Sequence, residues 1–432
     1  MFDADTITQL AKEFKEPSWI TELRRKALTL HGQLPWPHPS DDIWRRTDAS
    51  LLDPSKGFSP TQPSLLPSVQ LTQEQITLLT QPLGDEQLVV RINGHWLTPP
   101  KMKEIVVEDF AHAAARIPQP LQHAIEADGL SVSEQKFTSL NVAFHHDDLS
   151  IQVPAKHVAE QPLRLVRIIS AQAHQAIFPL TVITVGAGSS ITIIDEYVSI
   201  PSTGSDAPRL INGRIELVLE PNASVRYVRL QRWDSQAREF LLQRATLAEG
   251  ATLTSANINL GASMSKAHLV TKLVGERASA RLYGFVFGHE HQHVDQHTLQ
   301  DHQAPHTESD LQFRAALQDQ SRMIYTGLIR ISKTAQHTNA YQSNHNLMLS
   351  RDAKAETIPM LEILADDVQC KHGASIGPID EEQEFYLRSR GISREQAQRL
   401  VVMGFIEPII QQIPFAPLQV RLREEIEGGL RA

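Results

Sequence analysis

The sequence predicts a mainly β protein, a solenoid of stacked coils with one helical region before it and another after it. Three observations carry this. From about Leu140 the chain breaks into more than a dozen short segments in which apolar and polar residues alternate. Their starts follow one another at roughly 12 to 17 residues, with Gly, Asn, Asp or Ser between them and no long helix intervening. On either side of this array the apolar residues recur at helical spacing instead. A sandwich of about seven strands would end well before the array does. A solenoid coil buries its inward residues only against its neighbours, so it can simply repeat. A large barrel or a double sandwich is the alternative that pattern alone leaves open.

Taken in order, residues 1–135 form an N-terminal helical domain with irregular loops. "DADTITQLAKEF" and "PSWITELRRKALTLH" read as helices, with Pro17 and Ser18 marking the start of the second. The Pro- and Ser-rich stretch from "GQLPWPHPS" through "LLDPSKGFSPTQPSLLPS" reads as loop. "LVVRINGHWL" reads as a hairpin turning at Asn93-Gly94, and "EDFAHAAARI" as a helix. Residues 136–378 form the β array, with segments such as "SSITIIDEYVSI", "ASVRYVRLQRW", "SARLYGFVFG" and "RMIYTGLIRIS". Residues 379–432 turn helical again. "DEEQEFYLRSRG" stops at Gly391, and Ser393 with Gln396 forms a capping box for the next helix. On that helix Ala397, Leu400, Val401, Gly404 and Phe405 make one stripe, part of which is expected to meet the solenoid or a partner.

Composition excludes several classes of function. The 432 residues are 41% hydrophobic and 21% charged, which suits a globular chain of more than one domain. A formal net charge of −9 offers no basic field to a phosphate backbone, so no nucleic-acid partner is expected. Apolar runs such as "FPLTVITVGAG" are too short to span a bilayer, so no membrane association is expected. The acidic start "MFDADTITQLAKEFKEP" lacks the basic and apolar run of a signal peptide, and the single cysteine, Cys370, excludes an internal disulfide framework. Together these point to a reducing cytoplasm. One thiol also cannot supply the four thiolates that usually hold an iron–sulfur cluster.

The most conspicuous motif is misleading. His289, Glu290 and His293 spell H-E-x-x-H, which binds zinc only on a helix. Gly284 and Gly288 precede it, and Val294, Asp295 and Thr298 are poor helix formers. If extended, His289, His291 and His293 leave one face and Glu290 the other, separating the base from the ligands. The longer zinc motif fails too, with Gln296 and Leu299 at its Gly and His positions. His297, His302 and His306 follow at spacings that allow neighbouring coils to bring some of them near His291 or His293, although a hydrogen-bonded polar ladder is the plainer expectation. "GLIRISKT", from Gly327 to Thr334, imitates a phosphate loop but has Ser332 where its second Gly belongs. "GAGSSI", from Gly186 to Ile191, lacks the third Gly of a dinucleotide turn. The chain is expected to have no nucleotide site of its own.

What remains is Cys370 with His372, two apart and so on one face of a strand, followed by Gly373, which permits close approach. Sulfur beside nitrogen suits iron or zinc. Two ligands are too few for a closed site, so the rest would come from another chain. Taken alone, a small buried cysteine beside a hydrogen-bonded histidine is the plainer reading.

Resemblance adds what local chemistry lacks. The stretch "NAYQSNHNLMLSRDAKAETIPMLEILADDVQCKHGASIGPIDEEQEFYLRSRGISREQAQRLVVMGF" resembles the C-terminal signature of the SufB/SufD family of the SUF iron–sulfur cluster assembly machinery. Asn344, Leu347, Pro359, Leu361, Glu362, Cys370, His372, Gly373, Ala374, Tyr386, Arg388, Arg390 and Gly391 fit that pattern. "EPSWITELRRKAL", "FTSLNVAF" with "IQVP", and "QHVDQHT" followed by His302 and His306 extend the likeness over nearly the whole chain. A single cysteine favours the SufD branch, since SufB members are usually longer and carry more cysteines. The resemblance implies a right-handed parallel β-helix between helical domains. It implies a non-enzymatic scaffold that pairs with SufB through the β-helices and binds the SufC ATPase through the C-terminal helical domain. It further implies iron or a nascent iron–sulfur cluster shared with SufB at that interface, where a SufB cysteine faces His372 and Cys370 is a nearby redox or structural group. His372 and Cys370 are therefore the metal-site candidates. A homodimer of the isolated chain and a flavin on the complex are both compatible with the family. The contrasting class is a β-solenoid enzyme acting on polysaccharide, which needs a lengthwise groove of convergent carboxylates and basic residues that the sequence does not identify.

Overall fold

Strand alternation builds the coils, and the coils stack into two long walls. The computed structural model describes residues 2–60, 77, 79, 81–102, 104–126, 130–170, 174–200 and 207–430. The part of the Pro- and Ser-rich stretch from Thr61 to Ser68 lies outside these. The chain opens with helices α1 (Ala4–Glu13) and α2 (Ser18–Gln33). Short strands follow: β1 (Ser59–Pro60), β2 (Gln87–Ile92), β3 (His95–Thr98) and β4 (Val106–Asp109). Helices α3 (Phe110–Arg116), α4 (Pro118–Glu126) and α5 (Val132–Phe144) complete the N-terminal part. As the Asn93-Gly94 turn predicts, β2 and β3 pair antiparallel, with both turn residues at positive φ. The sequence reading starts the β array at 136, but residues 136–144 complete α5. They are buried all round, so no polar face shows a helical period.

The array itself runs through β5 (Asp147–Val153), β6 (Leu163–Ile169), β7 (Gln175–Ile177), β8 (Pro179–Val185), β9 (Ser190–Ser199) and β10 (Arg209–Leu219). It continues through β11 (Ser224–Arg232), β12 (Ala237–Leu247), β13 (Thr252–Asn259), β14 (Met264–Leu273), β15 (Ser279–Gly288) and β16 (His293–His302). It ends with β17 (Glu308–Leu317), β18 (Arg322–Ile331), β19 (Thr338–Met348), β20 (Lys354–Ile363) and β21 (Val368–Pro378). Helices α6 (Glu381–Ser389), α7 (Arg394–Ile410) and α8 (Ala416–Gly429) follow.

Even-numbered strands from β8 to β20, with β5 and β4 and with β7 and β1 branching from β10, make sheet A, and odd-numbered strands from β9 to β21, with β6, β2 and β3, make sheet B. Every pairing within the coils is parallel, so the protein is a parallel β-solenoid of seven successive strand pairs from β8–β9 to β20–β21. Arg209 pairs with Ala237, Arg238 with Met264, Met264 with His293, His293 with Arg322 and Arg322 with Lys354, so one turn takes 28, 26, 29, 29 and 32 residues.

Between the sheets lies a core of inward side chains, among them Ile183, Leu217, Leu241, Leu253, Leu311 and Phe313, each worth about 1.5–3 kcal/mol of burial. One corner column is held by left-handed residues: Gly188, Asn222, Gly250, Arg277, His306 and His337. Each donates its N–H to a carbonyl of the next coil, from Gly188 to Pro221 O (2.9 Å) through His337 to Asp367 O (2.7 Å). The inter-coil bond offsets the strain that a left-handed conformation imposes on a non-glycine residue.

Both outer walls are covered by helices. Phe137 of α5 stacks on Phe240 of sheet A at 4.2 Å, and Lys266 of β14 ion-pairs with Asp295 at 2.6 Å while donating to Ile43 O at 2.7 Å. On sheet B, Val402, Ile406, Ile409, Leu418 and Leu422 of α7 and α8 pack on Val228, Ile258 and Phe285. Glu196, fully buried, accepts from Arg164 at 2.8 Å and from Arg421 of α8 at 2.5 Å, and also pairs with Arg232. The capping box of Ser393 and Gln396 forms as the sequence predicts. The expected stripe on α7 is met in part: Ala397 is buried and Phe405 packs half-buried against the sheet B cluster, whereas Leu400 and Gly404 are exposed, and the fully buried line is Val402, Ile406, Ile409 and Ile410. That helix is apolar on nearly every side, so only packing selects its face.

Candidate functional site

Cys370 and His372 lie on β21, the last strand of sheet B, in register with Ala340 and Gln342 of β19. Those two partners are buried and face the lumen, so Cys370 and His372 face it too. Among the described residues no further coil lies beyond them. Cys370 is half-buried beside Ile329, Ile331, Ala335, Ala340 and Ala365, and burial pushes its thiol above the ordinary value. His372 is exposed, and neither of its ring nitrogens makes a hydrogen bond to any described residue.

The last turn is open along its whole length. Among the described residues β20 pairs only with β18 and β21 only with β19. Lys354 N–H reaches back to Ser321 O (3.0 Å) and Leu364 N–H to Ile331 O (2.9 Å). By alternation, Ala355, Thr357, Leu361 and Ile363 aim their N–H groups at the open end, where Pro359 has none to offer. Met360, Leu361, Ile363, Leu364 and Ile376 are exposed there. Sequence reasoning missed this edge because β20 alternates like any inner strand. A second surface lies on the C-terminal helices, where Tyr386, Leu387, Leu400 and Val401 line a groove of about 590 Å³ with Phe385 exposed nearby.

The histidine-rich stretch does not gather into a site. His289 to Gln292 form a corner turn, closed by Gln292 N–H to His289 O (3.1 Å) with Glu290 at positive φ, so the stretch is neither helical nor extended. His293 pairs through Nε2 with Thr47 Oγ1 (2.9 Å) on the outer wall. His297 is also outward and stacks on His268 at 5.1 Å, and burial beside Lys266 holds its pKa well below the usual imidazole range. His302 points inward, bonded to Thr307 and Ser309 at 2.8 Å each, and burial lowers it to about 4. His306 sits on the corner column, stacked on His337 at 4.7 Å. The polar ladder is what forms. Among the described residues no three His, Cys, Asp or Glu side chains are grouped to hold a metal.

The two nucleotide-like stretches also fall into the solenoid. Gly327 to Ile331 are strand β18, and Gly186 to Ser189 form a corner between β8 and β9. No helix among the described residues is long and apolar enough to cross a membrane.

Residues 167–405 match the family described as SUF system FeS cluster assembly, SufBD core domain. The chain is similar to an iron–sulfur cluster assembly SufBD family protein of Staphylococcus epidermidis, 24% identical over 440 residues and covering 98% of this chain and 93% of the relative. It is also similar to one from Synechocystis, 28% identical over 423 residues and covering 95% and 91%.

Proposed function

Because this chain belongs to the SufBD family of iron–sulfur cluster assembly proteins, we propose that it is a non-catalytic scaffold subunit of the SufD type, forming half of a seam at which a cluster is built. The observation that carries this reading is the open end of the solenoid, where two unpaired edges and an exposed apolar rim surround His372 and Cys370. A SufB-type paralogue with like edges can add main-chain hydrogen bonds to both sheets and bury Leu361, Ile363 and Ile376.

In that arrangement the chain contributes an imidazole, and the paralogue contributes thiolates. His372 is the better ligand of the two candidates, because an imidazole binds iron as a neutral base whereas the Cys370 thiol, raised by burial, must first lose a proton. Cys370 then has a redox or structural role. A SufC-type ATPase docks on the groove at Tyr386, Leu387, Leu400 and Val401, and the ATP chemistry belongs to that partner. Assembly takes place in a reducing cytoplasm.

The test uses the chain co-expressed with its SUF partners. His372→Ala should leave the subunits paired while iron retained per complex falls by about tenfold or more. Normal iron and cluster content in the variant removes the role given to His372. A chain that purifies with neither a paralogue nor an ATPase removes the scaffold reading itself.

A further inference from the structure

Directly beneath His372 in the ladder lies Gln342, its register partner on β19. The Gln342 side chain is buried and crosses the lumen to sheet A, where Nε2 donates to Gly327 O at 3.1 Å and lies 3.5 Å from Met360 O. This crossing depends on Gly327. A Cβ there would stand 2.5 Å from Gln342 Oε1 and 2.5 Å from Tyr325 Oη, so only hydrogen leaves the notch free. The glycine that begins the false phosphate loop is thus explained by the glutamine opposite it.

One atom is left over. Gln342 Oε1 is buried and accepts no hydrogen bond from any described residue, which leaves it free to take one. Above it, neither nitrogen of His372 is engaged with any described residue. A histidine that binds metal through one ring nitrogen almost always donates the other N–H to an oxygen, which fixes its tautomer and aim.

We propose that Gln342 is the positioning residue for His372. Its Oε1 accepts the imidazole N–H turned into the lumen, so that the opposite nitrogen presents its lone pair to iron across the open end. This rests on the reading of His372 as an iron ligand. Gln300, one turn deeper, provides the contrast. It also crosses the lumen, with Nε2 on Ser309 Oγ (2.6 Å) and Tyr341 O (3.2 Å), and its Oε1 is likewise unpartnered. The side chains stacked above it are Ile329 and Leu361, which bind nothing.

The experiment measures Fe(II) affinity of the co-expressed complex. Gln342→Met keeps the length of the side chain and removes the acceptor, and should weaken Fe(II) binding about tenfold with subunit pairing unchanged. It should add nothing further in a His372→Ala background, whereas a purely structural brace would weaken both backgrounds equally. Gln342→Glu retains an acceptor but loses the Nε2 donor to Gly327 O and Met360 O, so it should lower stability yet bind Fe(II) more tightly than Gln342→Met, and Gln300→Met should lower stability without altering Fe(II) affinity. Wild-type affinity in Gln342→Met, or an equal loss with and without His372, overturns the proposal. If Gln342→Met does not fold, Gln342→Asn draws the acceptor back by one methylene and carries the same expectations. Where His372→Ala itself binds Fe(II) normally, the ligand reading has failed rather than the positioning role.

Discussion

At its N-terminal end the solenoid turns its strands around. β3 runs antiparallel to β2 and β4 antiparallel to β5, and each of these terminal strands has only four residues, so neither sheet shows a long bare edge there. Arg91 fastens this end. Its guanidinium donates to Asp148 O (2.8 Å) and to Gly94 O, pairs with Asp109 (2.9 Å), and lies 4.4 Å over the Trp96 ring. At the C-terminal end β20 and β21, ten and eleven residues long, stay parallel to their neighbours and simply stop. Natural sheets shield their edges because a row of free N–H and C=O groups recruits other strands. This chain caps one end with reversed strands and leaves the other uncapped, and the proposed pairing rests on that contrast.

Three changes would break or sharpen that contrast. The largest effect is expected at the closed end. Arg91→Met leaves Asp109 and Asp147 without their buried cation and should cost about 3–5 kcal/mol in urea unfolding. A loss under about 1 kcal/mol would mean that the clamp is idle.

The second concerns how the C-terminal helices are anchored, independently of the open edge. Burial alone would raise the Glu196 carboxyl, but Arg421, Arg232 and Arg164 outweigh it and hold it at about 2, below the ordinary 4.5. The unfolded chain therefore takes up the proton first. The stabilisation, about 3 kcal/mol, is complete above about pH 4.5 and is lost as the pH falls from there through about 2. Urea titrations at stepped pH should show this loss in the wild type and much less of it in Glu196→Gln.

The third effect is on association. Leu361→Lys combined with Ile363→Lys puts two charges on the open rim and should weaken pairing with the paralogue about 100-fold, or about 2.7 kcal/mol. Because both residues are already exposed, the urea midpoint of the chain alone should stay put. Unchanged affinity by calorimetry would show that the seam lies elsewhere.

The coils were legible because lumen and solvent impose opposite demands on neighbouring residues, which segments such as "ASVRYVRLQRW" and "RMIYTGLIRIS" display directly. Helix α5 was not legible, since burial on every side from Lys136 to Phe144 erases the period that reveals a helix. The His289–Gln292 corner is not legible, because it turns on a left-handed Glu290, a residue with no preference for that conformation. Cys370 and His372 could be singled out by spacing, but their interest came from a resemblance spread over many residues. The end of the array at Pro378 was legible, but the bare edge of β20 was not. "KAETIPMLEI" alternates as an inner strand does, and whether a next coil exists is a fact about the chain after it. Gln342 was hidden for a related reason: a buried glutamine acquires meaning only from what lies across the lumen.

The short reversed strands at the N-terminal end have a consequence for assembly. A rod adhesive at both tips would add copies head to tail and grow into a filament, since such contacts do not close on themselves. With four-residue antiparallel strands at one tip and long parallel edges at the other, the proposed pairing is a tip-to-tip contact that would close at two chains instead of growing.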